Sequence, residues 1–113
     1  ILLMVVIGVV VRFVQEALRL RPTLRVLQHV GYGVSVGSAS RYAWAVGFHD
    51  PRVTQRGLRR AESLGLRTTV YTVNDETRMR RLAALGVDGI FTDRPALLRA
   101  TLLTRPEAKP LDG

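Results

Sequence analysis

The chain has 113 residues, which limits it to one domain, and 47% of them are hydrophobic against 23% charged, a balance that excludes a disordered protein. It contains no cysteine, which excludes a disulfide framework and thiolate chemistry and leaves the cellular compartment unpredicted. The formal net charge of +8 raises the question of an anionic partner. The arginines are spread over the polar faces of predicted helices, however, so we interpret them as a solvated surface and expect no nucleic-acid partner.

The first predicted element is a buried strand. Residues 1–11 form an unbroken apolar run, and Val5–Val11 is rich in β-branched side chains, as is typical of buried parallel strands. A membrane span needs about 20 such residues. Arg12 ends the run well before that length, so we expect no membrane span, with a clipped signal or anchor segment as the alternative.

A helix and a second strand follow. Phe13, Ala17 and Leu20, with Val14 and Leu18 beside them, have helical spacing. Pro22 ends that helix because the residue before a proline avoids the α region. Leu24–Val30 is the second predicted strand. Residues 31–40, with three glycines and three serines, are predicted to form a loop.

The third predicted unit begins with a strand at Tyr42–Gly47, followed by a turn at residues 49–51. Thr54 is a suitable N-cap for a helix that runs through Leu64, and Gly65 is the expected C-terminal glycine.

The last two units have the clearest boundaries. Residues 67–73 are β-branched and aromatic and predict a strand, and Asp75 follows as a helix cap. Residues 88–92 form the next predicted strand, Asp93 is the expected cap of the last helix, and Pro95 suits its first turn. We therefore predict a folded part over residues 1–104 and a polar tail over residues 105–113.

Strands that alternate strictly with helices, at about 20 residues per unit, predict an α/β protein with parallel strands. The periodicity fits either an open doubly wound sheet or part of a TIM-type barrel. A complete barrel needs about 250 residues, so on the second interpretation the chain is a piece of one.

Two motifs favour the barrel. Tyr71-Thr72-Val73-Asn74 ends one strand, and Gly86-Val87-Asp88-Gly89-Ile90-Phe91-Thr92-Asp93-Arg94-Pro95 spans the next. At this separation they resemble the last two βα units of the glycerophosphodiester phosphodiesterase family, in which tryptophan stands where this chain has Tyr71. Residues 9–22 resemble an earlier unit of the family more weakly; Phe13 matches its phenylalanine, and Arg12 stands where it has serine. The resemblance implies roughly the last five βα units of a partial TIM-type (β/α) barrel.

Family members hydrolyse glycerophosphodiesters to an alcohol and glycerol 3-phosphate, with a divalent cation, Ca²⁺ or Mg²⁺, and a pair of histidines. The resemblance implies that the motifs carrying those groups, His-Arg-Gly, Glu-Asn-Thr, Glu-x-Asp and His-Asp, belong to the first strands and loops. This sequence contains none of the first three, and its His-Asp pair, His49-Asp50, falls in the wrong βα unit to match the family motif. We therefore expect a C-terminal fragment without catalytic residues, without a bound metal and without activity of its own.

The chain's own titratable residues agree with this expectation. Asp75 and Asp93 are better explained as helix caps than as metal ligands. His29 falls late in a strand and His49 in a turn, and neither has a visible partner, so neither is a convincing general base.

The resemblance does imply a contribution to the substrate pocket, because active sites of such barrels form at the carboxyl ends of the strands. Phe13, Tyr71 and Asn74 fall at or just after these ends and are the predicted substrate-binding residues. Tyr71 would pack on the glycerol or alcohol group, with a core tyrosine as the alternative. Asn74 would hydrogen-bond substrate or cap the next helix.

Two further interpretations remain. The chain could be a catalytically dead half-barrel that acts only as an interaction or relic protein, since open sheet edges invite self-association. The net charge could instead serve an anionic partner, whose binding would weaken steeply with salt.

Overall fold

A computed structural model gives the structure of the protein over residues 12–31 and 33–103. The predicted strand Val5–Val11 and the predicted tail 105–113 lie outside these residues. The helices are α1 (residues 12–20), α2 (Val36–Ala39), α3 (Gln55–Ser63), α4 (Glu76–Ala84) and α5 (Pro95–Leu103), with a 3-10 turn at Asp50–Arg52. The strands are β1 (Leu27–His29), β2 (Ala45–His49), β3 (Arg67–Tyr71) and β4 (Gly89–Ile90).

The four strands form one parallel sheet in the order β1-β2-β3-β4, which confirms the predicted alternation of parallel strands and helices. The β2–β3 ladder is the longest, with five residue pairs from Ala45↔Arg67 to His49↔Tyr71. Within the described residues, β1 and β4 are the two edges of the sheet. None of the helices found there is long and apolar enough to cross a membrane.

The predicted position of the third strand is wrong by two to three residues. The amides of Tyr42 and Ala43 both donate to the carbonyl of Ala39, so these residues continue the turn that ends α2. The Tyr42 hydroxyl donates to Gln28 Oε1 at 2.8 Å, and partial burial raises its pKa, which keeps it a donor. His49 is consequently the last residue of β2 rather than part of a turn.

The predicted helix ends agree better with the structure. Thr54 Oγ1 accepts the amide of Gly57 at 3.0 Å, and Asp75 Oδ2 accepts the amide of Arg78 at 2.8 Å, so both are N-caps as expected. Gly65 has a φ of +76°, the left-handed conformation that glycine supplies after a helix.

The core lies between one face of the sheet and the helices. Alternation along β2 points Val46 and Phe48 toward the helices, where they pack with Leu58 of α3 and Leu82 of α4. The apolar stripe predicted on α1 is wrong at its two ends, because Phe13 and Leu20 are 75% and 68% exposed. The half-buried positions of α1 are Val14, Ala17 and Leu18.

Candidate functional site

Three side chains meet where the first three strands of the sheet end. His29, His49 and Tyr71 are the last residues of β1, β2 and β3. The rings of His29 and Tyr71 are stacked, with centroids 4.3 Å apart and planes 17° from parallel. The His49 ring lies 5.6 Å from that of Tyr71 at 40°. We call these three residues the imidazole–phenol cluster; it lies at the carboxyl ends of the strands.

A glycine makes this stacking geometrically feasible. Gly47 pairs with His29 on one side and with Thr69 on the other. A Cβ at position 47 would lie 2.8 Å from His29 Cδ2, closer than real Cβ contacts. Because glycine lacks that atom, the His29 ring can lean across β2 and reach the ring of Tyr71.

His49 has unused hydrogen-bonding capacity. Its Nδ1 atom is buried and has no hydrogen-bond partner among the described residues. Asp50, next in the chain, does not supply one, since its Oδ1 accepts from Arg78 Nε at 2.7 Å. This ion pair is partly buried and fixes the turn after β2 to α4. A buried polar atom without a partner costs free energy.

Asn74 connects two loops at the same edge of the sheet. Its Oδ1 accepts from Thr92 Oγ1 at 3.0 Å and from the Asp93 amide at 2.9 Å. Its Nδ2 donates to Asp93 Oδ2 at 3.1 Å. The N-cap of α4 is Asp75 and not Asn74. The carboxylate of Asp93, which the sequence predicts to cap the last helix, accepts a hydrogen bond from Asn74.

The predicted substrate-binding residues are thus distributed unevenly. Tyr71 is half-buried within the imidazole–phenol cluster, and Asn74 follows three residues later in the loop contacts just described. Phe13 lies in α1 with its side chain 75% exposed. The roles predicted for all three remain predictions. The sequence alone does not single out His29 and His49, because neither has a partner nearby in the chain. The signal that points to them is that the ends of neighbouring parallel strands share one edge of the sheet.

The residues in this part of the chain do not fit a divalent cation. Across residues 12–31 and 33–103, no three histidine, aspartate or glutamate side chains gather in one place. The carboxylates near the cluster are engaged otherwise: Asp50 with Arg78, Asp75 as a cap and Asp93 with Asn74. Calcium and magnesium need several convergent oxygen ligands, so the described residues offer no site for either.

Replacing Asn74 with alanine should lower the free energy of unfolding by about 1 kcal/mol, because three hydrogen bonds at a solvent-exposed position are lost. The Asp93 amide should also exchange with solvent faster, since Asn74 Oδ1 is its acceptor. Urea unfolding and amide hydrogen exchange measure the two effects. Thr77→Ala, at an exposed position of α4, is the control; an equal change in both variants would contradict the assigned contacts.

Parallel βα units whose strands lie in the sheet in the order of the sequence are the arrangement of an α/β fold of the TIM-barrel type. The model of the glycerophosphoryl diester phosphodiesterase family matches residues 5–97, and the chain therefore belongs to this family. The resemblance inferred from the two motifs is confirmed.

Solved structures agree. A putative glycerophosphoryl diester phosphodiesterase from Silicibacter pomeroyi superposes with a TM-score of 0.67 at 27% identity, over 79% of this chain and 34% of its own. The glycerophosphodiester phosphodiesterase from Parabacteroides distasonis superposes with a TM-score of 0.71 at 25% identity, over 81% of this chain and 40% of its own. A phosphodiesterase from Oleispira antarctica, in complex with the product sn-glycerol-3-phosphate, superposes with a TM-score of 0.71 at 17% identity, over 80% of this chain and 38% of its own. At this identity the likeness supports the fold alone.

These superpositions confirm the partial barrel. The chain spans between a third and two-fifths of the length of the solved structures it matches. Comparison with curated protein sequences gave no significant match.

Proposed function

We propose that the chain is the C-terminal part of a metal-dependent phosphoric diester hydrolase of lipid metabolism, which cleaves glycerophosphodiesters to an alcohol and glycerol 3-phosphate. The observation that carries the proposal is the imidazole–phenol cluster at the carboxyl ends of the strands, in a chain that belongs to this family. An active site at that edge is what the barrel architecture requires.

In this proposal the chain forms the far wall of the substrate pocket. The Tyr71 ring packs on the carbon skeleton of the glycerol or alcohol group, as aromatic walls do in ligand pockets. The His49 ring, 5.6 Å from that of Tyr71, contributes to the same wall. Asn74 holds the two neighbouring loops in place or meets the substrate itself, and Phe13 is the second proposed aromatic contact.

The catalytic histidines and the ligands of Ca²⁺ or Mg²⁺ come, by family resemblance, from the N-terminal part of the barrel. That cation would stabilise the negative charge of the phosphoryl group during cleavage. Since the described residues offer no cation site, we propose that the chain is inactive by itself and complements a part that holds the metal.

The test joins residues 1–104 to the N-terminal half of a family member such as the S. pomeroyi protein. The fusion should release glycerol 3-phosphate from glycerophosphocholine only when Ca²⁺ or Mg²⁺ is present, and the 113-residue chain alone should release none. A fusion that is folded by circular dichroism but shows no cation-dependent hydrolysis would count against the proposal.

Within that fusion, Tyr71→Ala should raise KM about 10-fold, because the aromatic contact to the substrate is lost. Tyr71→Phe tests the hydroxyl, and Tyr71→Trp introduces the residue typical of the family; we expect both to stay within about 3-fold of the parent. Initial rates over a range of substrate concentrations give these values. Equal kinetics for the alanine and tryptophan variants would place Tyr71 outside the pocket.

A second candidate function is that of a half-barrel that acts only by interaction. The observation that favours it is the pair of sheet edges, β1 and β4, in the described residues, since unpaired strands are templates for another chain. Sedimentation velocity should then show a dimer or larger species whose share grows with concentration. A monodisperse monomer at all concentrations would argue against it.

A further inference from the structure

The single tryptophan of the chain lies on the surface between two arginines. Trp44 is 45% exposed, and the guanidinium carbons of Arg25 and Arg67 lie 5.2 Å and 5.8 Å from the centroid of its ring. Arginine in this position is attracted by the negative face of the indole. The three residues therefore form one amphipathic unit, with an apolar ring and two positive charges.

This unit lies at the end of the sheet opposite the imidazole–phenol cluster. Arg25 precedes β1, Trp44 immediately precedes β2, and Arg67 begins β3. The backbone of Trp44 is fixed by the sheet, since its amide donates to Val26 at 2.8 Å and its carbonyl accepts from Arg67 at 3.1 Å. The ring is thus held at the surface by a rigid element, and its exposure does not come from a loose loop.

Further apolar side chains are exposed at the same end. Leu24 is 41% exposed in the segment before β1, and Leu64 is 40% exposed in the segment before β3. Segments that lead into parallel strands share one end of the sheet. We call Leu24, Arg25, Trp44, Leu64 and Arg67 the Trp44 surface.

The two ends of the sheet differ in charge. At the end where the strands begin, the described segments contain four positively charged residues and one negatively charged residue. These are Arg21, Arg25, Arg41 and Arg67, and Asp88. At the end where the strands finish, the segments that follow them contain three negatively charged residues, Asp50, Asp75 and Asp93, and two positively charged ones, Arg52 and Arg94. Asp88 lies 3.7 Å from Arg67 with both side chains well exposed, a geometry that neutralises little in water. The Trp44 surface is therefore the positive end of the sheet.

We propose that the Trp44 surface docks on an acidic phospholipid bilayer. Tryptophan prefers the boundary between headgroups and acyl chains, where its ring is buried and its N–H stays wet. Arg25 and Arg67 would bind lipid phosphates, with their stems along the ring. Leu24 and Leu64 favour lipid over nucleic acid, because aliphatic side chains add burial at a bilayer but have no stacking role on bases. The proposal does not depend on hydrolysis.

Trp44 also provides the measurement, since it is the only tryptophan. The 113-residue chain is mixed with vesicles of phosphatidylcholine alone or of phosphatidylcholine with an equal amount of phosphatidylglycerol. We expect Trp44 emission to shift to the blue, and the chain to co-sediment, only with the acidic vesicles. Added salt should weaken the binding. Unchanged emission with acidic vesicles would overturn the proposal.

Matched variants distinguish this surface from diffuse charge. The double variant Arg25→Gln with Arg67→Gln should lower the partition coefficient between vesicles and water about 30-fold. Each arginine near an acidic bilayer contributes about 1 kcal/mol, and each 1.4 kcal/mol corresponds to roughly a tenfold factor. Arg56→Gln with Arg99→Gln removes the same charge from exposed positions of α3 and α5 and should change it less than about 3-fold.

Equal losses in the two double variants would overturn the proposal, as would tighter binding to a single-stranded oligonucleotide at the same phosphate concentration. Circular dichroism establishes that all variants are folded.

Discussion

Replacing Leu82 with alanine should lower the free energy of unfolding by about 2–5 kcal/mol, the range measured for buried leucines. Leu82 is 0% exposed on α4 and belongs to the core cluster with Val70 and Met79. Removing the side chain forfeits its transfer free energy and leaves a cavity that the sheet on one side cannot fill. For a single small domain this is a large part of the total stability.

The matched control is Leu103→Ala, the same chemical change at the end of α5, where the side chain is 74% exposed. We expect its effect to stay within about 0.5 kcal/mol. Urea unfolding gives both values from the shift of the midpoint at an unchanged slope. Midpoints that move equally would show that Leu82 is not part of a packed core.

Replacing Gly47 with alanine should destabilise the protein by about 1–3 kcal/mol, although alanine is ordinarily the better residue in a strand. The new Cβ would meet His29 Cδ2 at 2.8 Å, Leu27 Cδ2 at 3.2 Å and Thr69 Oγ1 at 3.3 Å. The most crowded neighbour is a ring of the imidazole–phenol cluster, so relief of the clash must move His29 away from Tyr71.

Gly37→Ala is the control, because a Cβ at position 37 meets only the flexible end of Arg60 at 3.3 Å and a serine hydroxyl at 3.9 Å. In α2 alanine is favoured over glycine, so this variant should be neutral or slightly more stable. The His29 ring protons, shifted by the stacked Tyr71 ring, should move in the nuclear magnetic resonance spectrum of Gly47→Ala alone. Changes of the same sign in both variants would contradict the proposed close contact.

Much of the fold follows from local sequence signals. Thr54 and Asp75 begin helices because their side chains accept amides of the first turn, and Gly65 adopts the positive φ that ends α3. Such interactions span a few residues and can be read along the chain. The two motifs around Tyr71 and Pro95 then selected the barrel over an open sheet, a choice that periodicity left open.

The candidate site was harder to predict because its contacts cross from strand to strand. The stacking of His29 on Tyr71 depends on the register of three strands and on the missing side chain at Gly47. A shift of two to three residues in the predicted β2 moved His49 from the strand end into a turn. Asn74 likewise bonds residues on the following unit, which local reasoning treats as a separate helix cap.

The order of the strands also bears on how the protein acquires its structure. Each strand pairs with the next one in the sequence, so every ladder closes a loop of roughly twenty residues at a small and nearly equal entropic cost. Folding can therefore proceed outward from the longest ladder, β2–β3, by adding one βα unit at a time, although parallel pairing makes each step slower than the formation of a local helix contact. A boundary between two such units therefore interrupts one ladder of this sheet only.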